Sequence, residues 1–103
     1  MTRQESMKSA NLDLVFDDLE VARGSLVIPK NRSDYSVRMI AKLIEIQNPK
    51  DAVSIRTIQR AIAAIKDLGL EHLLSPTYKQ NTPYYGRFAC ELILTHLKFT
   101  VQE

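Results

Sequence analysis

Between Ser54 and Ile62 the sequence reads SIRTIQRAI, two arginines, a glutamine and a threonine set among isoleucines at helical spacing. A guanidinium offers paired donors that match guanine O6 and N7, and a glutamine amide pairs in the same bidentate fashion with adenine N6 and N7. Arg56, Thr57, Gln59 and Arg60 are therefore candidates for contact with base edges in a duplex major groove.

Other chemistry is poorly provided for. The acidic residues form no recognisable catalytic pair, no serine or cysteine stands in a nucleophile motif, and the three glycines are scattered, so no phosphate-cradling loop exists. An enzyme is not expected. The single cysteine, Cys90, has no partner for an internal disulfide or for zinc-ligand spacing, and His72 and His96 are isolated from it and from each other. Neither a metal nor a cofactor is expected, and Cys90 and His96 are read as ordinary core residues.

The Arg56–Arg60 stretch must be positioned by a helix. Ser54 is a good N-cap, and Gly69 stands where a helix commonly stops. At 100° per residue, Ile55, Ile58, Ala61, Ile62, Ile65 and Leu68 fall on one side, while Arg56, Gln59, Arg60, Ala63 and Asp67 fall on the other. One face is core; the small Ala63 lets a bulky partner approach the other closely. The first two turns hold no acid. Basic residues there oppose the helix dipole at a cost of about 0.3–1 kcal/mol, which a phosphate ligand would offset.

Charge distribution points the same way. The net charge is only +2, yet Arg23–Lys66 holds nine basic residues against three acidic ones, whereas Asn11–Glu20 holds Asp13, Asp17, Asp18 and Glu20 and no base. A basic middle in a near-neutral chain suggests one face turned toward a polyanion. Lys42, Lys50, Ser54, Lys66, Lys79 and Arg87 are the candidates for phosphate contacts, which position a protein on DNA without reading sequence.

With 103 residues, 45% hydrophobic and 25% charged, the chain has room for one domain with a modest core and is not of disordered composition. Residues 1–10 are polar and aperiodic, a flexible N-terminal tail ahead of a single domain over 11–103. No apolar run approaches the roughly 20 residues of a membrane span, and MTRQESMKSA lacks the apolar core of a signal peptide, so a soluble, cytoplasmic protein is expected. From Asn11, Leu12, Val15, Phe16 and Leu19 trace a first helix that would stop at Gly24. SLVIP then suits a brief edge strand or an extended connector. Ser33 or Ser36 can cap a second helix with Val37, Ile40, Ala41 and Ile44 as its apolar stripe, which NPKD breaks.

VSIRTIQRAIAAIKDLGL, Val53 to Leu70, resembles the recognition helix of bacterial winged helix-turn-helix regulators, and MIAKLI, Met39 to Ile44, resembles their scaffold helix, with Ala41 where the two helices cross closely. The resemblance implies a mainly α fold with a small β component: three helices plus a β-hairpin wing. It departs from the pattern at EIQNPKDAV, Glu45 to Val53, which is longer than the turn of three or four residues in a tight helix-turn-helix. Either the second helix runs on or an inserted loop separates the two.

Beyond Leu70 two strands joined by a polar tip at Lys79–Thr82 are the favoured reading, with Tyr78, Tyr84, Tyr85 and Phe88 supplying β propensity. A helix starting at Thr82–Pro83 and running through FACELILTHLKF is the competing one. ELILTHLKFTV is apolar enough to suggest packing against a second copy, hence a homodimer. Together these readings imply a sequence-specific double-stranded DNA-binding protein, a small transcriptional regulator of a bacterium, phage or plasmid. The alternatives are a replication or partition accessory protein of a mobile element, or a winged-helix adaptor that binds protein.

Overall fold

A computed structural model describes residues 22–102. The tail expected over residues 1–10 and the helix expected from Asn11 lie outside the described residues. In chain order the elements are β1 (Ser25–Val27), β2 (Asp34–Tyr35), α1 (Val37–Gln47), a 3-10 turn (Pro49–Asp51), α2 (Ile55–Asp67), a second 3-10 turn (Glu71–Leu73), β3 (Thr77–Lys79), β4 (Thr82–Gly86), α3 (Arg87–His96) and β5 (Thr100–Gln102). Among the described residues, three helices and a small β component agree with the expected class at that level, although the last of them, α3, is not one of the three expected.

Both helix starts are fixed by serine. Ser36 Oγ accepts the Met39 N–H at 3.3 Å, which decides between the two candidate caps of α1, and Ser54 Oγ accepts the Thr57 N–H at 3.1 Å. Pro49 disfavours helical backbone at Asn48, so α1 stops at Gln47. The long connection thus resolves both ways: α1 runs past Glu45, and a 3-10 turn fills part of the remainder. At the far end of α2 the chain turns through Gly69 at φ +80°, a conformation glycine adopts without steric cost.

One core takes the inward faces of all three helices. Ile40, Leu43 and Ile44 of α1 meet Ile58, Ala61, Ile62 and Ile65 of α2 and Ala89, Cys90, Ile93 and Leu94 of α3, with Leu26, Ile28, Tyr35, Leu74, Tyr85, Leu97 and Phe99 filling the ends. Leu68, expected on the buried stripe of α2, is 66% exposed, because the helix ends at Asp67 and its angular progression ends with it.

The C-terminal reading needs correction. A hairpin is present, with its turn at Gln80 and Asn81 inside the expected polar tip and both residues at positive φ, as a two-residue type I′ turn requires. Its second strand, however, ends at Gly86, and FACELILTH belongs to α3. Gly86 stands at the N-cap, where it is tolerated, and not inside the first turn, where it would weaken the helix. The competing helix start at Thr82–Pro83 is also overturned, since both residues lie in β4. Pro83 is accommodated there because β2 pairs only with Tyr85 and Gly86, which leaves that stretch of β4 paired on one side.

β1 pairs in parallel with β5, Ser25 opposite Thr100, and β2, β4 and β3 form a separate antiparallel sheet in that order. The other side of β1 is occupied by side chains from the end of α1 and from the α1–α2 connection. Gln47 accepts the Val27 N–H and donates to its carbonyl, both at 2.8 Å, so that its amide continues the sheet in place of a strand. Asn48 Nδ2 donates to Ser25 O at 2.7 Å, and the Gly24 N–H reaches Asp51 Oδ2 at 3.1 Å. Gly24, expected as a helix stop, has another use here: it leaves room for the Asn48 amide, which a Cβ would displace from its bond to Ser25 O. Gln47→Ala is expected to cost about 1 kcal/mol, the usual net worth of such bonds, measurable as a lower urea midpoint with an unchanged slope.

Cys90 is fully buried, as expected, whereas His96 is exposed at the end of α3, not a core residue. Burial pushes the Cys90 thiol from its ordinary 9 up to about 12, and burial likewise raises the Tyr35 and Tyr85 phenols. A group whose pKa is higher when folded holds its proton longer in the native than in the unfolded state, so its contribution is intact below the unfolded pKa and lost above it. Stability is therefore expected to fall as pH rises from 9 toward 12, and Cys90 should react with thiol reagents at pH 8 only after unfolding. Thermal melts across that range, and thiol titration with and without denaturant, check both.

Candidate nucleic-acid interface

The outward face of α2 carries Arg56, Gln59, Arg60 and Ala63, all exposed. Neither arginine forms an ion pair among the described residues, where the pairs are Lys42–Glu45 at 3.5 Å, Lys79–Asp34 at 2.9 Å and Arg87–Glu91 at 4.0 Å. Three of the four expected base-reading side chains thus share one solvent-facing surface. Thr57 stands apart from them. It is half-buried, and its Oγ1 lies 3.1 Å from Ser54 Oγ within the N-cap, on the flank of α2 that faces the end of α3.

The hairpin lies along the opposite flank. An open groove of about 380 Å³ runs between α2 and β4, lined by Ser36, Val37, Arg38, Gln59, Pro83 and Tyr84 among others. A neighbouring groove of about 250 Å³ shares Val37, Gln59 and Pro83 with it and extends to Ala63 and Lys66. Ahead of the helix start, a wider groove of about 580 Å³ lies between α1 and the connection, with Arg38, Ala41 and Lys42 on one side and Val53, Ser54 and Ile55 on the other.

The six expected phosphate contacts divide into two groups. All of Lys42, Lys50, Ser54 and Lys66 are exposed, Lys42 and Ser54 beside the start of α2, Lys66 on its hairpin flank and Lys50 in the 3-10 turn that precedes it. Among the described residues Lys42 pairs with Glu45 alone, an exposed interaction worth about 0–1 kcal/mol. Lys79 is more firmly engaged: it reaches from β3 to Asp34 of β2 and lies 4.8 Å from the Tyr84 ring centre. Arg87 is drawn into the fold. Its Nη1 donates to the Pro29 carbonyl at 3.3 Å, an acceptor it shares with the Tyr35 hydroxyl at 2.8 Å, and two thirds of its side chain is covered. Arg87 anchors the β1–β2 connection.

Arg38 was not singled out by the sequence, although it lines both the wide groove and the hairpin groove and is exposed. A usable signal existed: it lies in the first turn after Ser36, off the Ile40–Ile44 stripe. The apolar residues that suggested a second copy, Ile93, Leu94, Leu97 and Phe99, are buried in the chain's own core.

No helix among the described residues is long and apolar enough to cross a membrane, and no three His, Cys, Asp or Glu side chains among them converge as metal ligands. No family model, curated protein or solved structure matches the chain.

Proposed function

We propose that this protein binds double-stranded DNA as a winged helix-turn-helix domain, with α2 in the major groove, the β3–β4 hairpin as the wing and α1 as the scaffold helix. The observation that carries the reading is the exposed face of α2, on which Arg56, Gln59 and Arg60 surround the small Ala63 with no ion pair among the described residues. A solvated helix surface ordinarily mixes acids and bases in i,i+4 pairs. Here the first two turns hold donors suited to guanine and adenine edges. Arg38, Lys42 and Lys66 line the grooves beside that face and, with the exposed Lys50 of the preceding turn, supply backbone contacts. Within this reading the protein acts as a small transcriptional regulator that occupies its site.

Selection of bound sequences from a pool of random duplexes tests the proposal directly. A recurring motif of a few base pairs is expected, with affinity that falls steeply with salt. Recovery of the pool without enrichment, or binding indifferent to salt, would overturn it. The position of the selected motif, beside promoters or beside a replication origin, separates a regulator from a replication or partition protein.

A further inference from the structure

On the flank of α2 away from the hairpin, an open concavity of about 270 Å³ is lined by Arg23, Thr57, Arg60, His96 and Lys98, with Ala61 and Leu97 at its base. Two guanidiniums, an ammonium and an imidazole converge there from three separate stretches of chain, and no carboxylate of the described residues lines it. The convergence is built into the backbone. The Arg23 N–H donates to the Lys98 carbonyl at 2.8 Å, and the Arg23 guanidinium lies 5.7 Å from the centre of the buried Phe99 ring.

Lys98 itself occupies an unusual position. The Lys98 N–H bonds to Thr95 O at 2.9 Å and the Phe99 N–H to Leu94 O at 3.0 Å, the pair of bonds that closes a helix in a Schellman motif. The residue between must adopt left-handed backbone, and Lys98 does so at φ +76°. Glycine takes that conformation freely and is the common choice, whereas a lysine there carries a steric cost.

We propose that this concavity is a phosphate-binding site that grips the sugar-phosphate backbone of the duplex on the side of α2 opposite the hairpin. Arg23 and Lys98 supply the charge, the Thr57 hydroxyl supplies a neutral donor, and Arg60 joins this flank to the reading face. The inference rests on the DNA-binding reading and deepens it: the reading helix is flanked by backbone contacts on both sides.

Lys98→Gly and Arg23→Ala, assayed in the full chain on a duplex selected by the parent, test it. Each is expected to lower the slope of log affinity against log salt by about one unit, the signature of one lost phosphate contact, and to weaken specific and nonspecific duplexes alike. Lys98→Gly removes the charge while relieving the backbone, so its thermal midpoint should equal or exceed the parent's, which separates lost binding from lost folding. If both variants keep the parent's salt slope while Arg56→Ala loses base preference, the site is not a backbone contact and the DNA reading stands. If the parent enriches no duplex, the reading and the site fall together. Inorganic phosphate is the second probe: saturable binding to the parent that both variants lose, with their duplex binding intact, would assign the concavity to a free anion and overturn the proposal.

Discussion

Ile58→Ala is expected to remove about 2–5 kcal/mol of folding stability, out of a total of about 5–15 for a domain of this kind, while leaving duplex preference unchanged. Ile58 is completely buried, and it stands in a stripe with Ala61, Ile62 and Ile65 that meets α1 and α3 in the common core. Truncation leaves a cavity walled by branched side chains on three helices. Those walls belong to helices packed against one another in one core, so they can close over the space only in part. Urea unfolding measures the loss, and binding at denaturant concentrations well below the midpoint measures preference. A cost below about 1 kcal/mol would mean that α2 is not packed on this face.

The second large effect falls on the opposite side of the same helix. Arg56→Ala or Arg60→Ala should cost about 1–3 kcal/mol on the selected site and relax preference at one base position each. Nonspecific binding should change less for Arg56→Ala, which leaves the phosphate contacts in place, and somewhat more for Arg60→Ala, whose side chain also lines the Arg23–Lys98 concavity. Both residues are exposed and neither is ion-paired among the described residues, so folding should shift by no more than about 0.5 kcal/mol. Equal weakening on every sequence would reassign that arginine to the backbone. Unchanged binding by both variants would remove α2 as the reading helix and leave its polar face as solvated surface.

α2 was legible because its signals are local: a serine cap, a 3.6-residue stripe and a closing glycine all lie within one short segment. The turn at Gln80–Asn81 was legible for the same reason. β2 and β5 were not, because strands of two and three residues have no periodicity of their own and exist through partners far along the chain, Asp34 with Gly86 and Ser25 with Thr100. α3 was misread because its aromatic and glycine neighbours favour extended chain locally, while Ala89, Cys90, Ile93 and Leu94 are buried together only when that segment is helical. The site divides likewise. Arg56, Gln59 and Arg60 share one helix and one face. Arg23 and Lys98 come together only through the β1–β5 register, and no local pattern announces the left-handed backbone of Lys98.

That register has a consequence for a chain still leaving the ribosome. The β3–β4 hairpin joins neighbours and can close in microseconds as soon as its residues are free. β1, made much earlier, must wait for Thr100–Gln102 before its sheet exists, and until then Gln47, Asn48 and Asp51 have only an unsupported segment to grip. The connection that sets α2 on α1 is therefore secured by the slowest and most distant pairing in the described chain. Until that pairing forms, the hairpin and the helices can exist while the angle between α1 and α2 is still loose, and the angle should become fixed in one step when β5 docks on β1.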